Sequence, residues 1–392
     1  MAQKQIYDLA IVGAGVCGIM AAIQANIRNS IMFDTKNGAE KLAITGNNRC
    51  NLTNTLPLEE FLSAYNRNGQ FLRSAFRRFF SDDLIRFVKK IGFETETDSN
   101  RIFLKNATSK RFAKKLLEEA QKRLMHFKKF EAVIRVDLVK KYFVLHTCKG
   151  RYMAQRLLLA CGGASYPQTG SMGICYSLAK KFGHTIVAPQ PAEVPLCSDN
   201  TAPLQGIALK GVPVKLKTGS SVHSTRGDIL FTHFGLSGPA ILELSCKNFT
   251  DAKIIINLIN MSQKELKKRI EGFRGTPGSF FKRLLPNRIV DYLNLPKKCF
   301  QELSKRDIHS IIERVTSFQL NVRKCPLEKA FVTVGGVSVK QINPETMESK
   351  LVKNLFFCGE IIDISGPIGG FNLQAAFSTG FLAGKSIATA KP

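Results

Sequence analysis

The stretch IYDLAIVGAGVCGIM, residues 6–20, decides the fold. An apolar run leads directly into the spacing Gly13-x-Gly15-x-x-Gly18 and then into small apolar residues typical of a helix. The first glycine permits a tight turn, the second lets backbone N–H groups approach a pyrophosphate, and the third lets helix and strand pack closely. A second strand, SIMF at residues 30–33, completes a β-α-β unit. The pattern predicts a Rossmann-type dinucleotide site, with chance packing of glycines as the alternative.

An acidic residue, Asp34, ends the second predicted strand. A carboxylate about 20 residues beyond the glycine turn can accept hydrogen bonds from a ribose diol, and it disfavours a 2′-phosphate at the same place. The N-terminus of the intervening helix adds partial positive charge for the phosphates. We therefore expect a dinucleotide to lie along Gly13–Gly18 with its adenosine ribose at Asp34.

Two further segments combine polar residues with turn-forming glycines. In KLAITGNNRCNLTN, residues 41–54, Lys41 and Arg49 could offset phosphate charge; a polar surface loop is an equally good interpretation. In LLLACGGASYPQTGSMG, residues 157–173, a buried strand runs into Gly162 and a second glycine. Such glycines permit close approach of the backbone to a ligand, and a simple strand-to-helix connection explains them equally well.

A further candidate site is the segment NLFFCGEIIDISGPIGGFNLQAAFSTGFLAG, residues 354–384. A strand ends near Gly359, Glu360 and Asp363 follow, and a glycine turn then opens a helix of small residues. Ligands of open α/β sheets collect at the carboxyl ends of strands, so we expect Asp363 to contact a polar part of the cofactor. A surface turn that caps the last helix is the alternative.

The order of elements predicts a discontinuous domain. An α/β pattern over residues 1–190 is interrupted by a β-rich segment, 191–260, and a helical segment, 261–330, before it resumes over 331–392. The fold class is therefore α/β, a Rossmann-like domain with an insertion. The periodicity further predicts helices over 58–92 and 107–126, strands over 130–136, 141–147 and 151–160, and helical structure over 262–325.

Charge is the unusual feature of the composition. The 392 residues include 57 Lys and Arg against 30 Asp and Glu, a net charge of +27, with most of the excess in 66–156 and 261–330. Such a charge attracts nucleic acids and anionic surfaces, although solvated helix faces in a basic proteome are the interpretation we favour. The uncharged stretch 9–27 contains the glycine turn and lacks the basic flank of a signal peptide. We expect a soluble, cytoplasmic protein with no membrane contact.

The ten cysteines form no C-x-x-C pair and no Cys/His cluster with zinc-ligand spacing. This pattern predicts no metal site. We interpret most of the cysteines as buried small apolar residues in a reducing compartment, and a redox dithiol as the less favoured alternative.

Four motifs in a fixed order resemble one family over nearly the whole chain. It is the HI0933-like, or YhiN-like, family of NAD(P)/FAD-dependent oxidoreductases, also called BaiN-like. The motifs are RCNLTN at 49–54, GGASYP at 162–167, FTHFGLSGP at 231–239 and GGFNLQ at 369–374. The resemblance implies FAD bound by a discontinuous Rossmann-like domain with an inserted β-barrel-like piece and a helical subdomain.

The resemblance also implies a role for individual residues. The glycine turn would take the pyrophosphate, Asp34 the adenosine ribose, the backbone of Val133 the adenine, and Asp363 the ribityl chain, while 370–373 would approach the flavin ring. The full set of expected cofactor contacts is Gly13, Ala14, Gly15, Gly18, Asp34, Lys41, Gly46, Arg49, Cys50, Asn51, Val133, Gly162, Gly359, Glu360, Asp363, Gly369, Gly370, Phe371, Asn372 and Leu373. The chain departs from the family in four places. The family usually has Glu where Asp34 stands, three glycines where residues 46–48 read Gly-Asn-Asn, and Thr-Gly-Gly where residues 161–163 read Cys-Gly-Gly, and the segment between Asp34 and Lys41 is short.

The expected activity is that of an FAD-dependent oxidoreductase that passes hydride through the flavin, with NAD(P)H as an external donor and an unidentified small-molecule substrate. His233 is a candidate acid or base because imidazole exchanges protons near neutral pH, and Cys50 is a candidate redox partner. Local hydrogen bonding of His233 and simple packing of Cys50 are the favoured alternatives. An RNA-associated flavoprotein, acting for example in tRNA modification, is the competing function, and a binding protein that keeps the fold without turnover is a third.

Overall fold

The computed structural model describes residues 5–65 and 67–390. The strands are β1 (Ile6–Val12), β2 (Ser30–Phe33), β3 (Asn51–Asn54), β4 (Glu94–Asp98), β5 (Arg101–Lys105), β6 (His126–Lys128), β7 (Val133–Val139), β8 (Tyr142–Thr147), β9 (Arg151–Leu159), β10 (Ile186–Ala192), β11 (Leu196–Cys197), β12 (Ala208–Thr218), β13 (Ser221–Thr232), β14 (Gly235–Ser237), β15 (Asp251–Ile256), β16 (Phe318–Lys324), β17 (Val332–Val337) and β18 (Leu355–Phe357). The helices are α1 (Val16–Ala25), α2 (Glu40–Ala43), α3 (Leu58–Ser63), α4 (Arg73–Arg78), α5 (Ser81–Lys90), α6 (Ser109–Gln121), α7 (Ile174–Lys181), α8 (Pro239–Ser245), α9 (Gln263–Glu271), α10 (Pro277–Phe281), α11 (Asn287–Leu293), α12 (Lys305–Thr316) and α13 (Phe371–Thr389).

The chain divides into two compact units, residues 1–190 with 331–392, and residues 191–330. The first unit is built on a seven-stranded sheet in the order β6-β2-β1-β9-β8-β7, with β18 beside the last residues of β9. Pairing is parallel from β6 through β18 and antiparallel at β8 and β7. The parallel strands therefore end at one edge of the sheet, and the segments that follow β1, β2, β9 and β18 meet there.

Helices α1 and α13 pack side by side on this sheet with their backbones close together. A Cβ atom at Gly380 would lie 2.4 Å from the carbonyl oxygen of Cys17, and one at Gly384 would lie 2.5 Å from that of Ala21. The two glycines, four residues apart on one face of α13, are required by this contact. The last helix of the chain is thereby fixed against the first.

The predicted helical stretch 58–92 is interrupted. It consists of α3, a single 3-10 turn, α4 and α5, because Asn68 takes a left-handed conformation (φ 57°) and Phe79 is extended (φ −155°). The aromatic rings of this region are buried among one another, with Phe61 packed against Phe76 at 5.3 Å. The small sheet β3-β5-β4 packs beside these helices, because α5 contacts both β3 and β4.

The second unit contains a closed six-stranded barrel in the order β11-β14-β13-β12-β15-β16. Along β12, Val214 and Leu216 are buried while Lys215 and Lys217 are exposed, which is the alternation expected of a barrel wall. Helices α9 to α12 lie between β15 and β16 in the chain. The predicted α/β fold class, with a β-barrel-like insertion and a helical subdomain, is confirmed.

One part of the helical prediction for 262–325 is wrong. Residues Phe318–Lys324 form β16, which pairs with β15 and closes the barrel. The sequence carried the signal, because Phe318, Leu320 and Val322 are buried and alternate with exposed polar residues at a period of two. The basic residues around the strand obscured this period.

The interpretation of the cysteines as buried thiols is wrong for four of them. Cys161 is disulfide-bonded to Cys175, and Cys197 to Cys325, with Cα–Cα distances of 6.1 and 5.4 Å. The partners are 14 and 128 residues apart in sequence, so no short-range motif could reveal them. Across the described part of the chain, no helix is both long and apolar enough to cross a membrane.

Candidate cofactor site

The glycine turn after β1 uses its glycines in two ways. Gly13 has a φ of +104°, and a Cβ atom there would lie 2.4 Å from the carbonyl oxygen of Ala160; a Cβ at Gly18 would lie 2.1 Å from that of Gly13. These two positions serve the chain's own packing. Gly15 differs, because a Cβ atom at this position would meet no described atom within 4 Å. Open space therefore lies at Gly15, next to the first turn of α1, which contains no acidic residue.

Asp34 lies against this turn. Its Oδ2 accepts a hydrogen bond from the Ala14 N–H at 2.8 Å, and its Oδ1 accepts one from the Lys36 N–H at 2.7 Å. Burial raises the pKa of the carboxyl more than these two bonds lower it, and the charge of Glu40 raises it further. Each carboxylate oxygen has a second lone pair, so Asp34 can still accept hydrogen bonds from a ribose.

The start of β7 lies close to Asp34. The Glu131 N–H donates to the Asp34 carbonyl oxygen at 2.9 Å, and Val133, two residues further on, is buried. The residues that the resemblance assigns to adenine and to its ribose are therefore neighbours.

Asp363 follows β18 and is almost fully buried, with 3% of its surface exposed. The Asn68 side-chain amide donates to its carbonyl oxygen at 2.7 Å and to its Oδ2 at 3.1 Å, and an Arg67 nitrogen lies 3.6 Å from Oδ2. Its Oδ1 is buried and has no hydrogen-bond partner among residues 5–65 and 67–390. An unsatisfied buried carboxylate oxygen costs on the order of 1–3 kcal/mol, and a ligand hydroxyl would satisfy it.

The glycine loop before α13 is held rigidly. The Asn372 side chain bonds both the N–H and the carbonyl of Gly366, each at 2.9 Å. Gly370 has a φ of +92°, and a Cβ atom there would lie 2.6 Å from the Thr53 backbone. The Tyr65 hydroxyl donates to the Phe371 carbonyl oxygen at 2.7 Å. Gly369 and Leu373 belong to the same loop and first turn, so the N-terminus of α13 has a fixed position.

The first and last segments of the site lie together. The Cys17 thiol donates to the Cys358 carbonyl oxygen at 3.4 Å, and a Cβ atom at Gly359 would lie 2.4 Å from the Cys17 sulfur. The Gly359 N–H donates to the Thr379 hydroxyl at 3.0 Å. The turn at Gly13–Gly18 and the segment after β18 are thus parts of one sheet edge.

An ion pair joins the two middle segments to this edge. The Lys41 ammonium donates to Glu360 Oε2 at 2.8 Å and to the Ser165 hydroxyl at 2.9 Å. Glu360 Oε1 accepts from the Thr333 N–H at 2.7 Å and lies 3.2 Å from the Ser165 hydroxyl. Gly162 belongs to the same turn as Ser165. Lys41 and Glu360 therefore hold the surrounding loops together, whatever they contribute to a ligand.

Some of the residues predicted to contact the cofactor have other protein residues as their partners in the structure. Arg49 is exposed, lies 4.3 Å above the Phe103 ring and 3.5 Å from both Glu96 and Asp98. The Asn51 amide donates to the backbone of the small sheet, and Gly46 is exposed and belongs to a 3-10 turn. A cofactor contact for each of these residues stays a prediction.

The two catalytic candidates differ in their surroundings. Cys50 is fully buried, and burial raises the pKa of its thiol to about 12, so the thiol is protonated and a poor nucleophile. His233 is exposed in the turn between β13 and β14 of the second unit, with its ring 4.9 Å from that of Phe234. Catalysis by either residue stays a prediction.

The sequence interpretation missed Arg67 and Asn68, which hold Asp363. Their signal was present, because an Asn-Gly pair within a helical pattern is typical of a left-handed residue that ends a helix. The prediction of helical structure over 58–92 rested on the spacing of its apolar residues, and it gave Arg67 and Asn68 no role.

The matched family is the HI0933-like protein Rossmann domain, which covers residues 7–386. The chain belongs to this family. It is 28% identical to the ribosomal RNA dihydrouridine synthase of Escherichia coli K12, over 98% of this chain and 99% of the relative. It is 26% identical to the 3-dehydro-bile acid delta(4,6)-reductase of Clostridium scindens, over 97% and 98%. Among solved structures, the 3-ketosteroid-delta4-(5alpha)-dehydrogenase of Rhodococcus jostii has a TM-score of 0.55 at 12% identity, over 100% of this chain and 98% of that one, which shows a shared fold.

As a member of this family, the chain is an FAD-dependent oxidoreductase. Its own residues fit FAD at two points. Space for a pyrophosphate lies at Gly15, and the unpaired Oδ1 of Asp363 suits a ribityl hydroxyl. These two points are at the same sheet edge, as one extended cofactor requires.

Proposed function

We propose that this protein reduces a carbon–carbon double bond in an RNA base, with NAD(P)H as the electron donor. The observation that carries the proposal is the cofactor edge itself, where the open space at Gly15 and the unpaired oxygen of Asp363 suit an extended dinucleotide cofactor. Bound FAD would accept a hydride from the donor and deliver it to the substrate. The chain's own residues would bind and orient the cofactor and keep the loops around it fixed.

The names of the two curated relatives support the type of reaction. Dihydrouridine contains two more hydrogen atoms than uridine, and a delta(4,6)-reductase acts on carbon–carbon double bonds of a steroid. Both reactions reduce a double bond that is conjugated to a carbonyl group. We carry this shared chemistry over to the present chain.

The net charge favours RNA over a steroid as the substrate. A charge of +27 attracts a polyanion over long distances, whereas a mostly apolar small molecule gains little from it. We therefore propose a uridine within ribosomal RNA as the substrate. A conjugated steroid ketone is the second candidate, which the name of the Clostridium scindens relative supports.

The experiment measures the absorbance of the bound flavin under anaerobic conditions. We expect NADH or NADPH to bleach the absorbance of the bound flavin, and we expect ribosomal RNA to restore it, with a gain of two hydrogens in one uridine by mass spectrometry. Polycytidylate is the matched control, because it has the same backbone charge without uracil. Reoxidation by a conjugated steroid ketone but not by RNA would replace the substrate, and failure of both donors would refute the proposed donor.

A further inference from the structure

A second place in the first unit has the properties of a phosphate-binding site. A groove of about 580 Å³ lies where the C-terminal ends of α1, α5 and α6 meet α13. Its wall is lined by Ile23, Gln24, Asn26, Phe87, Lys90, Ile91, Gly92, Lys115, Glu119, Arg123 and Lys385. We call this surface, together with Arg28 and Lys122 at its rim, the basic groove.

The charge of the basic groove is strongly unbalanced. Its cations are Arg28, Lys90, Lys115, Lys122, Arg123 and Lys385. The lining carboxylate is Glu119, which lies 2.7 Å from Lys122, 3.3 Å from Lys115 and 3.6 Å from Arg123. Within residues 5–65 and 67–390, neither Lys90 nor Lys385 forms an ion pair. Arg28 is attached to the rim, because its guanidinium donates to the Lys122 carbonyl oxygen at 2.8 Å.

The helix ends alone do not account for this charge. The C-terminus of a helix carries roughly half a negative charge, so three of them offset fewer than two positive charges. Glu119 offsets one more. The six cations exceed this total, so the basic groove keeps a net positive charge that attracts an anion. Amide groups of Gln24 and Asn26 supply neutral donors, and the Phe87 ring supplies an apolar surface for a sugar or a base.

The position of the basic groove excludes a role in hydride transfer. Gly15 begins α1 at the cofactor edge, and Asn26 ends it in the groove, so about ten residues of helix, or ~15 Å, separate the two sites. A nicotinamide bound in the groove could not face a flavin at the other edge. The ligand is therefore one that is held here without reacting.

We propose that the basic groove binds the phosphodiester backbone of the RNA whose base is reduced at the cofactor edge. This inference rests on the proposed function, because the RNA must reach both edges of the first unit. Phosphate contacts by Lys and Arg position a nucleic acid without reading its sequence. The groove thus holds a part of the RNA away from the reacting base.

The test uses two variants of the FAD-loaded full chain that remove equal charge. The groove variant carries Lys90→Ser, Lys122→Ser and Lys385→Ser, three exposed lysines. The control variant carries Lys264→Ser, Lys267→Ser and Lys268→Ser, three exposed lysines of α9 in the second unit. Flavin content and the melting curve of both variants should match the parent, since all six side chains are exposed.

Binding is measured with a fluorescein-labelled RNA stem-loop over a range of salt concentrations. We expect the groove variant to lose at least tenfold in affinity and the slope of log K against log salt to fall by about two, because each lost phosphate contact contributes ~0.7–0.9 to that slope. The control should change affinity by about threefold or less. Reduction of the flavin by NADPH should be the same in all three proteins.

Each other outcome has a definite meaning. Equal losses of RNA affinity in both variants would mean that only the total charge matters, and this would refute the basic groove as a binding site. Loss of binding to phosphatidylserine vesicles, with RNA binding intact, would assign the groove to a membrane surface instead. If the parent reduces uridine in RNA and the groove variant does so with unchanged affinity, only the groove is refuted. If the parent binds no RNA, the RNA substrate and the groove are refuted together.

Discussion

The two ends of α1 differ in how they would hold a phosphate. At the N-terminal end, Gly15 leaves the backbone open and the ligand meets N–H groups of a fixed turn. At the C-terminal end, the basic groove offers long, exposed Lys and Arg side chains. Recognition by backbone N–H groups depends on the exact position of the turn. Long Lys and Arg side chains attract a phosphate through their total charge. The first end should therefore be sensitive to a single methyl group, and the second should tolerate the loss of any one side chain.

The largest effect is expected from Gly13→Ala. Its left-handed φ and the 2.4 Å approach to the Ala160 carbonyl oxygen leave no space for a methyl group, and strain plus displacement of backbone should lower the free energy of unfolding by about 3 kcal/mol or more. Urea unfolding measures this. Gly272→Ala is the control, because Gly272 has a φ of −88° and its Cβ would meet no described atom. Equal stability of the two variants would contradict the packing role of Gly13.

Gly15→Ala sharpens the comparison, because it separates folding from binding. The new methyl group meets no described protein atom, so the free energy of unfolding of the FAD-free protein should change by less than about 0.5 kcal/mol. The methyl group occupies space that the pyrophosphate needs, and FAD affinity should fall about a hundredfold, ~2.7 kcal/mol. Fluorescence titration with FAD is the measurement. Unchanged affinity would move the pyrophosphate away from this turn.

Asp363→Asn should lower FAD affinity about tenfold, ~1.4 kcal/mol, because a charge-assisted hydrogen bond to the ribityl chain becomes a neutral one. The remaining amide oxygen can still accept from Asn68, so the FAD-free protein should keep its melting temperature. The same titration tests this, with Asp251→Asn at the exposed start of β15 as the control. A drop in stability without a drop in affinity would make Asp363 a structural residue.

A smaller, pH-dependent effect is expected at Asp34. Because burial raises the pKa of its carboxyl in the FAD-free protein above 3.8, folding favours the protonated form. The stability that this contributes is present below pH 3.8 and is lost as the pH rises through the raised pKa. Ribose hydroxyls donate to the ionised form, so FAD affinity should rise with pH over the same window. Asp34→Asn should abolish this pH dependence of FAD affinity, and a profile that it leaves unchanged would exclude Asp34 from the ribose site.

The smallest effect is expected from a single change in the basic groove. Lys90→Ser removes one of six cations, so RNA affinity at physiological salt should fall by about threefold or less and the salt slope by about one. Titration of the labelled stem-loop measures both. A tenfold loss from this one lysine would show that the groove makes a directed contact and would break the contrast with the glycine turn.

The sequence predicted the parts of the site that local patterns encode. The strand and glycine turn at residues 6–18, the acid after β2 and the glycine loop before α13 each have a short-range signature. The meeting of the segments at one edge followed from the parallel order of the strands. Asn68 was missed because a polar turn within a helical pattern resembles an exposed helix face.

Pairings between distant residues could not be predicted in this way. The direction of Arg49 depends on Glu96 and Asp98, which the pairing of β4 with β5 brings near. The partners of Cys161 and Cys197 depend on the complete fold. The basic groove is similar, because its cations come from α5, α6, α13 and the segments that follow α1 and α6, which no single stretch of sequence connects. Charge counts revealed the excess of Lys and Arg but not its place.

The contact between Cys17 and Cys358 spans 341 residues of sequence, and this has a consequence for biosynthesis. The glycine turn is translated before Asp363 and before α13, which is fixed against α1. A nascent chain therefore presents only half of the cofactor cradle. We expect FAD loading to follow the synthesis of α13, because only then are both halves of the cradle present.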